Sequence, residues 1–530
     1  MTNTVSIIRS LIIYGLCLPL AVYLGYILAM PLDRVSLATI AVLLMLPLVP
    51  ILLKWHHFLL IASWNMSVVL FFIPGSPTLC IILSAVSLLL SVIQHILVRN
   101  MKFVSVPSVI IPMLFITMVI LFTAKLTGGI GLRSLGGEAV GGKRYFTVLG
   151  GIIGFFALTS HRIPQGKEIT YVALFFLGSL TSLMGSFAPW FPSGMHFIFT
   201  LFPVENISAL MDGEAQSSRL FLRLGGLAFG TAAVVHFILA RHGIAGIVNL
   251  SEKWRFLPFK FSGGFAINQP WRVLCAVGVL FVSLTGGYRS VPILLGLMIF
   301  FQFWLEGLHR TRIAPAVVMV LCMIAGNLIL FSDKLPYGVQ RSLSFLPLKI
   351  DPLVKLDAEN SSTWRVEIWR EVLPTIPQYL VVGKGYSMDA REMEKINSVS
   401  QFSAAASQAG AELAGDYHNG PLSVIIPLGI FGVIGFLWFL IAGFRVLLKN
   451  YRYSEPRLKG INTFLLTYYI AKTIFFFFVF GSFYSELAVF GGFIALSISI
   501  NGGMRQKETA PAEKQVTLPP FRFAKPARAV

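Results

Sequence analysis

Charge is the scarcest commodity in this chain. Only 12% of its 530 residues are Asp, Glu, Lys or Arg, about half the share found in soluble domains. Acidic groups are rarer than basic ones, 23 against 42. Cysteine is almost missing: Cys17, Cys80, Cys275 and Cys322 all fall within apolar runs. That pattern argues against a disulfide framework or a thiolate metal site. No Gly-x-Ser-x-Gly elbow is present, and no histidines stand at a zinc-binding spacing, because His56 and His57 are adjacent. Asp212 with Glu214 is the only tight acidic pair on the predicted outer side. No metal and no cofactor is therefore expected.

What the chain has instead is apolar sequence, 56% of all residues, with a mean hydropathy of +0.77. This is the composition of an integral membrane protein. A span needs about twenty apolar residues, which places helices near 5–30, 35–53, 57–74, 78–98, 104–124, 144–160 and 169–188. Further spans fall near 219–240, 271–287, 290–308, 313–331, 421–445, 461–480 and 485–501. The first run lacks a small-residue cleavage site and reads as retained. The expected fold is an all-α polytopic membrane protein of about 14 transmembrane helices, with a range of about 12 to 14.

The net charge of +19 would ordinarily suggest nucleic acid. Most Lys and Arg, however, sit in short clusters between apolar runs, so membrane lipids are the expected partners and nucleic acid is not. With the N-terminus in the cytoplasm, Lys54, Arg99 with Lys102, Arg162 with Lys167, Arg241 to Lys260, Arg310 with Arg312, and Arg445 to Lys459 all face inward. That is the asymmetry the positive-inside rule requires. The expected organisation is a transmembrane bundle over 1–331, a large external loop over 332–420, C-terminal spans over 421–502, and a disordered basic cytoplasmic tail over 503–530.

Within the loop, Asn360-Ser361-Ser362-Thr363 offers caps for a helix that begins near Trp364 and stops near Pro374. Its Arg365 and Trp369 share one face, and Val366 and Arg370 another. Gly383-Lys384-Gly385-Tyr386 forms a turn without the spacing of a nucleotide-binding loop. Met388 to Gly415 reads as polar and mobile, with helical stretches.

Two groups of residues carry possible chemistry. Arg219 and Arg223 open one span at the outer side, and Arg289 stands at an outward turn, Thr285-Gly286-Gly287-Tyr288-Arg289-Ser290. Each alone could snorkel to lipid headgroups. Converging at one face, they would make an anion site, since guanidinium grips phosphate with two parallel bonds and keeps its charge. His418, flanked by Asp416 and Asn419, stands where the chain re-enters an apolar run and is available as a general base. A bare capping role is the plain alternative. Lys143 and Arg144 put positive charge on an outward connector, against the topological trend. His161, His236, His242 and His309 fall on the inner side or within spans and read as structural.

Three stretches resemble the O-antigen ligase and polymerase superfamily of bacterial envelope glycosyltransferases. They are Ser362-Thr363-Trp364-Arg365-Val366-Glu367-Ile368-Trp369-Arg370, then Val382-Gly383-Lys384-Gly385-Tyr386, then Tyr417-His418-Asn419-Gly420-Pro421-Leu422 running into Gly429-Ile430-Phe431-Gly432. The resemblance covers roughly the second half of the chain. It implies a GT-C-like fold in the bacterial inner membrane with the large loop periplasmic and mostly helical. The donor would be an undecaprenyl-diphosphate-linked glycan and the acceptor a hydroxyl on lipid A-core or another glycan, with inversion by direct displacement. Arg289 and either Arg219 or Arg223 would hold the diphosphate, and His418 would activate the acceptor. Arg365, Arg370, Asp416, Asn419, Lys143 and Arg144 are possible accessories. The chain lacks the Asn-Pro-Asn that often follows the first arginines, reading Arg223-Leu224-Gly225-Gly226. Ligase and chain polymerase both stay open. A lipid-linked glycan flippase or transporter is the alternative of another class, and an assembly scaffold a third.

Overall fold

The computed structural model describes residues 48–73, 75–97, 103–128, 142–204, 223–248, 271–386 and 417–507, with a few isolated positions before 48. The described residues form helices and no named strand; Val69 and Thr78 make one isolated antiparallel bridge. In chain order the helices are α1 (Leu48–Ser63), α2 (Leu79–Leu97), α3 (Pro107–Thr127), α4 (Gly142–Thr159), α5 (Glu168–Leu177), α6 (Ser182–Ser186) and α7 (Gly225–Ile247). Then come α8 (Trp271–Thr285), α9 (Ser290–Leu305), α10 (Ile313–Phe331), α11 (Tyr337–Ser342), α12 (Pro352–Val372), α13 (Ile376–Tyr379), α14 (Gly420–Arg452), α15 (Lys459–Phe478) and α16 (Phe483–Asn501). Eight helical segments among the described residues are long and apolar enough to cross a membrane, and α8 and α9 are shorter apolar helices.

The bundle buries one contiguous core in which α4, α7, α14, α15 and α16 supply most of the fully enclosed side chains. The first expected span, 5–30, and most of the second lie outside the described residues. Where they can be compared, several boundaries differ from expectation: Arg241 and Arg445, expected in inward connectors, lie inside α7 and α14, and the two clearest differences come early in the chain. Lys54, expected in an inward connector, sits inside α1, with its ammonium 5.7 Å from the Trp55 ring centroid. A long cation at a helix edge can lean outward and need not break the helix. The expected span 57–74 stops at Ser63, after which the chain turns and forms the Val69–Thr78 bridge.

The second correction concerns the loop helix. Asp351 caps it, accepting from Leu353 N at 2.8 Å, and Pro352 occupies its first turn. An aspartate cap followed by proline is a stronger start than the serines further on. Asn360 to Thr363 therefore lie within the helix, and Ser362 turns its hydroxyl back to Ala358 O at 3.1 Å. The end agrees with expectation, since α12 closes at Val372 before Pro374.

One stripe of α12 binds it to the bundle. Trp364, Ile368 and Val372 recur every four residues and pack with Tyr417, Leu422 and Ile426 at the start of α14. Fully burying a side chain such as Ile368 contributes about 1.5–3 kcal/mol. Trp369 Nε1 adds a bond to Tyr417 O at 2.8 Å.

The Gly-Lys-Gly turn is explained by a break in α14. Pro427 and Gly429, the latter at φ +64°, interrupt that helix. The carbonyls of Ile426 and Pro427 are left to accept from Lys384 N at 2.7 Å and Gly385 N at 2.9 Å. Gly383 sits at φ +85°, and a Cβ there would come within 2.4 Å of Pro427 O. The motif thus docks the chain after α12 into the kink of α14.

Candidate active site

Three short pieces of backbone bring the charged residues together. Leu224 N donates to Gly286 O at 3.1 Å, which sets Arg223, just before α7, beside the turn that carries Arg289. Gly287, at φ +78°, offers its carbonyl to Arg341 Nη1 from α11. Arg289 then caps the start of α9, and its Nη1 donates to Ser362 Oγ on α12 at 3.0 Å. Asp357, also on α12, accepts from Arg223 Nη2 at 3.2 Å and from Arg341 Nε.

These groups line one cavity of about 970 Å³. Its wall holds the guanidiniums of Arg223, Arg289, Arg341 and Arg365, a single carboxylate from the loop helix, Asp357, and the imidazole of His418. Burial together with the nearby charges of Arg365 and Arg223 pulls Arg289 below the ordinary arginine range. Burial and Arg223 do the same to Arg341. For Asp357, burial pushes the carboxyl up, but the hydrogen bond and charge of Arg341, aided by Arg223, outweigh it and hold the group below its usual value of 3.8. It is therefore ionised at neutral pH.

His418 owes its place to backbone geometry. It sits at φ +51°, uncommon for a residue with a side chain. On one side Tyr417 is tied to Trp369, and on the other Asn419 caps α14 through Leu422 N at 3.1 Å. The imidazole stands edge-on between Trp364 and Phe480, with ring centroids at 5.0 and 5.1 Å. Aromatic walls of this kind fix a ring while leaving its nitrogens for polar partners.

Below the arginines the cavity continues into the bundle. His236 lies eleven residues beyond Gly225 on α7, about 16 Å along the axis. At that depth Lys472 of α15 bonds Glu486 of α16, Nζ to Oε1 at 2.8 Å, with both side chains nearly enclosed. Asn65, Tyr468 and Phe475 complete this end.

Of the residues anticipated from sequence, Arg223, Arg289, Arg365 and His418 meet in this cavity. Asn419 acts as a helix cap beside it. Arg370 is exposed and outside its wall. Lys143 and Arg144 occupy the first turn of α4, also outside the wall, with the Arg144 guanidinium 4.5 Å from the Tyr484 ring centroid. Arg219 and Asp416 lie outside the described residues, as does the stretch 387–416.

Sequence reasoning missed Arg341, Asp357, His236 and the Lys472–Glu486 pair. For the pair a signal existed, since an ionisable residue within an apolar span points to function by default. For Arg341 and Asp357 there was none, because both are ordinary residues of a polar loop until the fold brings them to the Gly286-Gly287 turn.

No curated protein matches the chain. Residues 272–437 match the family described as O-Antigen ligase. This stretch contains Arg289, Arg341, Asp357, Arg365 and His418. Members of that superfamily are membrane glycosyltransferase-like enzymes that ligate or polymerise glycans, and the match supports the likeness of this part of the chain to the O-antigen ligase and polymerase superfamily.

Proposed function

We propose that the chain transfers a glycan from an undecaprenyl-diphosphate-linked donor to an acceptor hydroxyl at the periplasmic face of the inner membrane, in the manner of an O-antigen ligase. One observation carries this reading: four guanidiniums and His418 share a single large cavity with one carboxylate of the loop helix. Arginines fixed around a diphosphate leaving group neutralise the charge that develops as the glycosidic bond breaks. Their forked geometry suits paired phosphate oxygens. His418 takes the proton of the attacking hydroxyl, a task that suits an imidazole in the wall of the cavity. The donor's prenyl tail stays among the apolar helices.

In this reading 332–420 is a periplasmic loop whose α12 forms a lid over the cavity, and the termini are cytoplasmic. Lipid A-core as acceptor makes the enzyme a ligase; the end of a growing chain makes it a polymerase.

The test is a reconstituted one. Purified protein in liposomes, given labelled undecaprenyl-diphosphate glycan and either acceptor, is expected to form a new glycosidic linkage and release undecaprenyl diphosphate. Movement of the donor across the bilayer without any new linkage would sink the enzyme reading and favour a flippase. The acceptor that is consumed separates ligase from polymerase.

A further inference from the structure

The cavity already contains an anion of the protein's own, and its placement is unusual. Asp357 Oδ1 accepts from Arg223 Nη2 at 3.2 Å, and Oδ2 accepts from Arg341 Nε and, at 3.4 Å, from the same Arg223 nitrogen, so two guanidiniums from different elements converge on one carboxylate. A carboxylate held this way reproduces half of a diphosphate, with two oxygens each accepting an N–H.

We propose that Asp357 is a competing internal anion. It occupies part of the diphosphate site while the cavity is unloaded, yields Arg223 and Arg341 to the incoming donor, and reclaims them as the prenyl diphosphate product leaves. The inference rests on the diphosphate reading of the cavity given above.

Three features favour exchange over a permanent strut. First, Asp357 and Arg223 are 32% and 38% exposed, so either partner can turn to water when displaced. A carboxylate locked in the interior could not, because parting it from its partner would leave a buried charge unpaired. Second, Arg341 is 5% exposed and stays fixed to Gly287 O through Nη1, so it holds its place whether or not Asp357 is bound. Its Nη2 is buried and has no hydrogen-bond partner among the described residues, which leaves donor capacity that one carboxylate does not use. Third, α12 has other attachments: the Trp364, Ile368 and Val372 stripe, and Trp369 on Tyr417 O. The helix therefore remains docked when the Asp357 bonds are given up.

The charges also account for why such a competitor is useful. Without Asp357, four guanidiniums would hold a diphosphate with no opposing negative group from the loop helix. Tight retention of a product lowers turnover even when chemistry is fast. A carboxylate within bonding reach of two of those arginines weakens the product's hold through both repulsion and competition.

The experiment uses the full chain in lipid nanodiscs, with inorganic diphosphate as the probe. Wild type, Asp357→Asn and Asp357→Ser are compared by calorimetry and by steady-state transfer. Removing one charge beside the ligand is expected to tighten diphosphate binding about tenfold in both variants. The donor KM and kcat should fall together, as slower product release demands. Diphosphate affinity and KM unchanged or weaker in both variants would overturn the inference and make Asp357 a strut. No binding of diphosphate to wild type that still transfers glycan would also overturn it while leaving the transfer reading intact. Tighter binding in the variants, with no transfer by wild type, would keep the competing anion and remove the proposed reaction.

Discussion

Two clusters of nitrogen bases sit at opposite ends of this bundle, and they differ in what surrounds them. Around the start of α14, Arg223, Arg289, Arg341 and Arg365 share a cavity with one carboxylate of the loop helix. Near the end of α16, where Ser499 donates to the carbonyl of His161, four histidines gather instead. The His161 ring centroid lies 5.3, 5.4 and 5.9 Å from those of His56, His57 and His95. That second group is matched by neutral partners. Gln94 donates through Nε2 to Leu53 O and presents its amide oxygen to both His56 and His161. An amide oxygen only accepts, so both imidazoles carry hydrogen on Nε2. Ser87 then serves His56 Nδ1 at 2.9 Å, and Leu158 O takes His57 Nε2 at 3.0 Å. Among the described residues no three such groups are placed to hold a metal ion. In the proposed reading, a concentration of reactive side chains is thus a site at one end and packing at the other. What separates them is the kind of group beside them: His56, His57 and His161 bond neutral groups of the fold, whereas the arginines stand around a carboxylate of the loop helix.

That contrast can be broken in several places. The largest effect is expected at His418: replacement by Ala should cut glycan transfer about 10²- to 10⁴-fold, the usual contribution of a general base, while thermal unfolding in detergent stays near wild type. A loss of activity matched by loss of fold would assign the residue a structural part instead. Next comes the inner ion pair. Glu486→Ala strands the Lys472 ammonium in the bundle and should cost about 3–5 kcal/mol of stability, whereas Lys472→Met with Glu486→Leu should come close to wild type. If the double variant is as unstable as the single one, the pair is not simply a matched charge.

A smaller effect concerns acid. The Asp357 pKa is lowered in the fold, so its bonds to Arg341 and Arg223 contribute above the unfolded value of 3.8 and are lost as pH falls through the folded one. The stability difference between wild type and Asp357→Asn should therefore be constant through neutral and mildly acid pH and close only below about pH 4. A difference that already closes between pH 5 and 7 would implicate a histidine rather than this carboxylate. The smallest effect belongs to the other end: His161→Gln should leave transfer unchanged and alter stability by about 1 kcal/mol, the worth of an ordinary hydrogen bond. A large fall in transfer there would remove the contrast.

The membrane class, the apolar helices among the described residues and the helical character of 332–386 could be read from composition and periodicity, because a lipid-facing helix must be apolar along its length. The arginine turn at Gly286 to Arg289 and the position of His418 were also legible, since a cation or an imidazole stands out in apolar sequence. The start of α12 was not. Asp351-Pro352 and Asn360 to Thr363 are both acceptable caps; the proline favours the first, and the burial of Val354 and Ala358 adds to that preference only once the chain is folded. Arg341 and Asp357 were invisible for a different reason: their roles arise from contacts 54 residues away in the first case and 134 in the second. His236 was set aside as a span histidine, yet it faces the cavity, because sequence shows that a residue lies in a span but not which way the helix turns it.

In the proposed reaction Arg289 grips a diphosphate with its fork and not merely a headgroup with its charge. Arg289→Lys keeps the charge and removes the fork. The rate of glycan transfer by that variant, measured in the same liposomes as wild type, is expected to fall at least about tenfold. Full activity in the lysine variant would contradict the account and reduce Arg289 to a lipid anchor.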